Sequence, residues 1–396
     1  MTLILLVDLD GTLIFNDIER FLPAYLQKLS NHLKDRVAPT HMVRSLLAGT
    51  KAMEDKELPD KTLEQAFDGV FYPEIGISKA KISESLSFFY ERIYPDLQNI
   101  TTVIPEAQEF VKWAFSQNYT IAIATNPLFP RSAIEQRLAW AGLPVSEYPF
   151  ALVTSFEKFH FAKPNPAYYA EILGQLGWPD IPAVMVGNSL SDDILPAQAI
   201  GVPAFQLQTP TPSDHSSSEV YSELMKWIKE KESAHLSISQ TPEALTALLT
   251  STPAALSTLA SSVDRDNWNK RPRSNEWSLG EIFCHLRDVD TEVTLPRTLR
   301  ILQENSPFIT AEETDVWAEQ RNYLQEDASR ALDGFIDARI HLLQALMAMK
   351  QNDWLRPARH AIFGPTTLSE LLVFTVTHDQ NHIRQIAKTI QWLKRK

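Results

Sequence analysis

The chain has 396 residues, 44% hydrophobic and 22% charged, too long for one ordinary core and suited to two or three packed domains. Its 37 basic and 49 acidic residues give a net charge of −12, which argues against a general nucleic-acid binder, because displacing phosphate counterions needs basic surface. No apolar stretch approaches the roughly eighteen residues of a bilayer span, and the single cysteine, Cys284, excludes an intrachain disulfide; no membrane partner and a reducing cytoplasm are expected.

The opening Met1-Thr-Leu-Ile-Leu-Leu-Val-Asp8 carries no basic leader, and an acid ends its apolar run, so it reads as a strand rather than a signal peptide. Further candidate strands are Thr120–Ala124, Phe150–Val153, Ala183–Val186 and Ala204–Leu207, with Leu3–Val7 as the first. Each is short and mostly apolar, as a strand buried on both faces should be. They alternate with amphipathic segments, the pattern of an α/β fold with a parallel sheet. Phe15–Asn99 interrupts this order with helix-like stretches around Ile18–Ala48, Leu63–Phe67 and Lys79–Ile93, and reads as a helical insertion domain.

Residues 208–240 are expected to be a linker, rich in proline and serine at first, followed by a charged connecting helix over Glu219–Glu232. Beyond Gln240 the strand signal vanishes. Four long helical patterns, Pro242–Val263, Leu279–Glu304, Asp327–Lys350 and Leu368–Lys394, predict an all-α four-helix bundle over 241–396. Ser278-x-x-Glu281 and Thr367-x-x-Glu370 are capping-box starts for two of them.

Chemistry-bearing residues follow the first four strands in turn. Asp8-Leu9-Asp10-Gly11-Thr12-Leu13 leaves the first strand where open α/β sheets gather catalytic groups, and paired carboxylates there can hold a hard cation or act covalently. A solvated acidic turn is the competing reading. Thr125-Asn126 follows the second strand and offers phosphate donors, or merely shapes a turn before Pro127. Lys163 precedes a helix start after the third, favouring an anion, or is a solubilising charge. Gly187-Asn188-Ser189-Leu190-Ser191-Asp192-Asp193 follows the fourth, offering oxygen ligands or an acidic helix start.

Residues 1–207 resemble haloacid dehalogenase-superfamily phosphohydrolases: Asp8-x-Asp10-Gly11-Thr12, Thr125, Lys163 and Gly187-Asn188-x-x-x-x-Asp193 match the four motifs. The resemblance implies a Rossmann-like core of 1–14 and 100–207 with a C1-type helical cap over 15–99. It also implies hydrolysis of a small phosphomonoester through an aspartyl-phosphate. Asp8 would attack phosphorus, and Asp10 would protonate the leaving oxygen and then deprotonate water. Asp8, the Asp10 carbonyl, Asn188 and Asp193 would hold Mg²⁺, and Thr125, Asn126 and Lys163 the phosphate. The family has an aspartate where this chain has Asn188, so Mg²⁺ affinity should fall, with Asp192 or Asp193 placed to compensate through water.

In the bundle, His378 and His382 lie four residues apart, on a stripe with Leu371, Thr375 and Ile386, and both should point inward. His285 belongs to a similar stripe with Ile282, Leu286 and Val289. Three inward imidazoles suit an open site for a divalent metal, Zn, Ni, Fe or Cu; hydrogen-bonded core histidines are the alternative. Cys284 lies about 100° around its helix from His285 and reads as packing. Asp288 and Asp379 read as solvated acids or as orienting partners of the imidazoles, and Trp268 and Trp277 as closing the bundle end.

Trp277-Ser278-x-x-Glu281-Ile282-x-x-His285-Leu286-x-Asp288 and His378-x-x-x-His382-x-x-Gln385-Ile386 make residues 241–396 resemble the DinB-like family. That resemblance implies a metal-binding triad and, for some members, chemistry on a low-molecular-weight thiol. Three readings follow: a Mg²⁺-dependent phosphatase fused to a metal-binding bundle; a metal-dependent thiol transferase with a weakened phosphatase domain; or a non-enzymatic bundle that directs or homodimerises the phosphatase.

Overall fold

A computed structural model of the chain describes residues 2–208, 217–233 and 239–395. The remaining parts of the expected linker, 209–216 and 234–238, lie outside the described residues. Two compact units are present, Met1–Glu57 with Lys61–Tyr169 and Asp180–Ser237, and Leu58–Asp60 with Ala170–Pro179 and Ile238–Lys396. Among the described residues no helix is long and apolar enough to cross a membrane.

In chain order the first half carries β1 (Ile4–Val7), β2 (Ile14–Asn16), α1 (Ile18–His32), α2 (Pro39–Glu54), α3 (Leu63–Ile75) and α4 (Lys79–Phe88). There follow β3 (Thr101–Val103), α5 (Pro105–Ser116), β4 (Thr120–Ile123), α6 (Arg131–Trp140), β5 (Leu152–Val153) and α7 (Pro166–Gln175). The half ends with β6 (Ala183–Gly187), α8 (Leu195–Ala199), β7 (Ala204–Gln206) and α9 (Ser217–Lys231).

All five predicted strands form one parallel sheet, ordered β5-β4-β1-β6-β7. The central β1 reads Ile-Leu-Leu-Val and is wholly buried, as a strand covered on both faces requires. Val7 is in register with Ile123 on one side and Val186 on the other. The segments leaving these three strands therefore emerge side by side, and this places the site.

The insertion is helical, with two differences from the sequence reading. The stretch expected over Ile18–Ala48 is two helices, because Pro39, which has no amide hydrogen to donate, starts α2 at its first position. An antiparallel pair, β2 with β3, also joins insertion to core, with Phe15 opposite Thr102. The connecting helix α9 is no solvated spacer. Tyr221, Leu224 and Ile228 recur at helical spacing, bury in the first unit's core, and the Tyr221 hydroxyl donates to the Thr12 carbonyl at 2.6 Å.

The second half carries α10 (Pro242–Ala260), α11 (Leu279–Val289), α12 (Leu295–Gln303), β8 (Phe308–Ile309) and α13 (Trp317–Gln320). It continues with α14 (Ala328–Met347), β9 (Pro357–His360), β10 (Gly364–Thr367) and α15 (Leu368–Leu393). Both predicted capping boxes are formed. Strands are nevertheless present beyond Gln240: β10-β9-β8 form a small sheet in which His360 opposes Gly364. The predicted helix Leu279–Glu304 is interrupted by a wide turn over Asp290–Thr294, just before Pro296, which cannot supply an amide to an unbroken ladder.

That turn delivers Asp290 into the interior, where the fully buried Arg339 of α14 lies between Asp290 and Asp379. Its nitrogens donate to Asp290 Oδ2 at 2.6 Å, Asp379 Oδ2 at 2.6 Å and the Leu249 carbonyl at 2.9 Å. Removing the cation leaves two buried carboxylates uncompensated. Arg339→Met is expected to destabilise this unit by about 3–5 kcal/mol, and a denaturant midpoint unchanged from wild type would contradict that role.

Candidate active site and candidate metal centre

Asp8 leaves β1 through a turn in which the Leu9 carbonyl accepts from Leu13 N at 2.8 Å, and Gly11 adopts a φ of 84°, a left-handed conformation that side chains resist. Asp8 is buried, and Thr12 Oγ1 donates to its Oδ2 at 3.1 Å. Lys163 Nζ lies 2.7 Å from Asp8 Oδ1 and 2.5 Å from Asp193 Oδ1, with all three side chains at most 8% exposed. Ser189 N donates to Asp193 Oδ2 at 2.9 Å, and a Cβ at Gly187 would meet the Asp193 carboxyl carbon at 2.3 Å. Only glycine at this strand end admits the carboxylate.

Thr125 is buried just past β4, and its carbonyl accepts from Thr154 Oγ1 at 2.8 Å and the Tyr168 hydroxyl at 2.7 Å. Asn126 Oδ1 accepts from Lys163 N at 3.3 Å, tying the two loops together and leaving the amide nitrogen as a donor. Asn188 is half-buried beside Asp193 in the β6 loop. Of the two acids weighed as compensating for Asn188, Asp193 joins the cluster; Asp192 accepts from Ser191 instead. Burial pushes the Asp8 carboxyl up to about 7, against the pull of Lys163 and with the help of Asp193. Burial also disfavours the Lys163 ammonium, but Asp8 and Asp193 outweigh it and hold its pKa well above the ordinary value.

Asp10 faces a different set of donors. Asn16 Nδ2 donates to its Oδ1 at 2.9 Å, and the buried Arg137 of α6 pairs with its Oδ2. Sequence reasoning missed Arg137, although it stands on the apolar stripe Ala133, Ile134, Leu138, where a cation signals a buried partner. Its guanidinium also lies 4.9 Å from the Phe129 ring centroid, and its Nε and Nη2 are buried without hydrogen-bond partners.

In the second unit, His285, His378 and His382 bring one nitrogen each within 4.8 Å of one another. The Nε2 atoms of His285 and His382 are 2.9 and 3.2 Å from that of His378. His382 Nδ1 donates to Gln385 Oε1 at 3.0 Å, which fixes the proton there and leaves the Nε2 lone pair toward the cluster. Burial, reinforced by the other two imidazoles, lowers His285 to about 3; burial and His378 lower His382 to about 4. Both rings are therefore neutral at pH 7, as ligands must be. Trp277, expected to close the bundle end, stacks on His382, with centroids 6.0 Å apart and planes 4° apart, and sits 5.0 Å from His285.

Two expectations change here, and one holds. The buried stripe of α15 runs through Leu372, Val376, Asp379 and Ile383, so His378 and His382 lie on its half-buried flank. Asp288 and Asp379 are not solvated. Asp288 receives Arg287, Arg321 and the Tyr323 hydroxyl, and Asp379 receives Arg339 while lying 3.9 Å from His378 Nδ1. Cys284 is buried outside the cluster, its thiol pushed up to about 12 by burial, in keeping with packing. A cavity of about 180 Å³ adjoins His378, lined also by Arg297, His360 and Phe363.

Residues 3–201 match the haloacid dehalogenase-like hydrolase profile, and residues 248–386 match the DinB superfamily profile. The chain is 25% identical over 206 residues to a phosphoglycolate phosphatase of Pseudomonas fluorescens, spanning 50% of this chain and 66% of that protein. It is 23% identical over 140 residues to the uncharacterized protein YuaE of Bacillus subtilis, spanning 32% and 85%. Among solved structures it resembles the four-helix-bundle protein YfiT of Bacillus subtilis (21% identity, 39% of this chain, 89% of that chain, TM-score 0.35). It also resembles a haloacid dehalogenase-family enzyme of Bacteroides thetaiotaomicron solved with magnesium and inorganic phosphate (16%, 54%, 97%, TM-score 0.28).

The converging lone pairs give a direct test of the histidine cluster. Purified protein equilibrated with Zn²⁺, Ni²⁺ or Fe²⁺ should retain one equivalent more than His382→Ala, measured by elemental analysis after gel filtration. Equal metal content in the two would show that these imidazoles are not ligands.

Proposed function

Because the chain belongs to the haloacid dehalogenase-like hydrolases and carries a DinB superfamily domain after its hydrolase domain, we propose that its first unit is a Mg²⁺-dependent phosphatase of a phosphorylated metabolite. The observation that carries this reading is the buried Lys163 ammonium between Asp8 and Asp193, at the adjoining ends of β1 and β6 and beside Thr125. A carboxylate in such a place is sheltered from water and faces groups that attract a phosphate.

The residues present fit a hard cation. Asp8 and Asp193 contribute carboxylate oxygens, Asn188 an amide oxygen and Asp10 its carbonyl, and Gly187 leaves room for Asp193 against the strand end. Mg²⁺ bound there supplies positive charge that offsets repulsion between Asp8 and the anionic ester. Lys163, Thr125 and the Asn126 amide orient the phosphate oxygens. An Asp8 carboxylate oxygen attacks phosphorus, forming an aspartyl-phosphate as the ester oxygen departs. Asp10 gives that oxygen its proton and later takes one from the water that releases phosphate. Arg137 and Asn16 position the Asp10 carboxylate for both transfers.

A second chemistry belongs to the bundle. Its three converging imidazoles suit a resident divalent metal with open positions, and the cavity beside His378 suits a small ligand such as a low-molecular-weight thiol.

The phosphatase reading is tested with p-nitrophenyl phosphate in millimolar Mg²⁺. Turnover by the wild-type chain should disappear in Asp8→Asn and fall at least about a hundredfold in Asp10→Asn. Turnover by Asp8→Asn equal to wild type would refute the assignment of the nucleophile.

A further inference from the structure

The insertion helices enclose, against the core loop that follows Thr125-Asn126, a cavity of about 670 Å³. That volume lies within the range of pockets that bury a drug-sized ligand. Its walls are mainly aliphatic and aromatic: Leu26, Leu29, Leu46, Phe71 and Leu86 from α1 to α4, and Phe129 from the core. Ile18, Leu22 and Leu47 belong to the same lining and are among the large apolar side chains most exposed in the cap.

Its charged lining narrows what the occupant is. Glu54, Glu64, Asp68, Glu91 and Glu157 face it against one cation, Lys79, which Glu64 and Asp68 already engage at 2.7 Å each. A second anionic group would find repulsion there and no spare cation. On the core side the wall is continuous with the site described above. Leu128 and Phe129 come two and three residues after Asn126, Leu128 N donates to the Asn126 carbonyl at 2.9 Å, and the Phe129 ring carries the Arg137 guanidinium that pairs with Asp10.

We propose that this cavity holds the leaving group of the substrate, and that the leaving group is largely apolar and carries no anionic group. The inference rests on the phosphatase reading of Asp8. The substrate is then an amphiphilic phosphomonoester whose phosphate reaches Asp8 and Lys163 while its hydrocarbon part lies among the cap helices. Hydrolysis breaks the phosphorus–oxygen ester bond, the alcohol oxygen leaves with the proton from Asp10, and water completes inorganic phosphate. Phosphoglycolate, whose leaving group bears a carboxylate, is a poor fit.

Calorimetric titration of the full-length Asp8→Asn chain with Mg²⁺ avoids turnover and reads binding directly. Decyl phosphate, kept monomeric, should bind at least about a hundredfold tighter than ethyl phosphate, a fraction of what burying the extra methylenes could yield. Phosphoglycolate should bind no better than ethyl phosphate. Filling the cavity, in Leu46→Trp or independently in Leu26→Trp, should abolish the preference for decyl phosphate over ethyl phosphate. Decyl and ethyl phosphates binding alike, or a decyl preference that survives both replacements, would overturn the proposal. Turnover of p-nitrophenyl phosphate by the wild-type chain reports separately on the phosphatase reading, so a failure of either is recognised by itself.

Discussion

A lysine ammonium sealed between two carboxylates is the constraint from which the first site follows. Lys163 lies within 2.7 Å of Asp8 and 2.5 Å of Asp193 in surroundings almost without solvent, where unpaired charges are very costly. The three groups must therefore stay together, which fixes the Asp8 turn, the loop before α7 and the turn after β6 relative to one another. With both acids ionised the cluster carries one more negative than positive charge. Asn188 adds none. An aspartate there would strengthen a metal site at the cost of a further carboxylate with no lysine to face.

The sheet makes this meeting possible before any charge is considered. With Val7 opposite both Ile123 and Val186, the chain leaving each strand arrives at one edge of the sheet, and residues over 150 positions apart touch. Parallel strands require long crossovers, so sequence-distant loops gather at their carboxyl ends. The site is a consequence of topology first and of electrostatics second.

That order explains what the sequence disclosed. Fully apolar runs such as Ile4–Val7 announce buried parallel strands, and acids, lysine and glycine at their ends mark the loops. His285, His378 and His382 were likewise visible as imidazoles at helical spacing. Less was legible where the partner lies far along the chain. Arg137 meets Asp10 across 127 residues, and no local pattern joins them. The small β8–β10 sheet escaped because Pro357, Gly364 and Pro365 suppress the usual strand signature. The inward-facing stripe of α15 was misplaced because Asp379 looked polar, and hence exposed, until Arg339 was seen to neutralise it. Composition cannot show the cap cavity, since the same leucines and phenylalanines would serve a filled core.

Both units place a buried cation between two aspartates, yet the two arrangements are suited to different tasks. Arg339 presents a planar fork to Asp290 and Asp379, with hydrogen bonds from Nε, Nη1 and Nη2 and a further one from Nη1 to the Leu249 carbonyl. Every direction of that fork is committed, so it can only hold α14, α15 and the wide turn after α11 in register, and with them the helices that carry the histidines. Lys163 is a compact charge on a flexible stem, able to turn from a carboxylate to an incoming phosphate without breaking a planar pairing. The identity of the cation thus separates the two clusters: guanidinium locks two helices together with every hydrogen-bonding direction committed, whereas ammonium pairs two acids as a compact point charge.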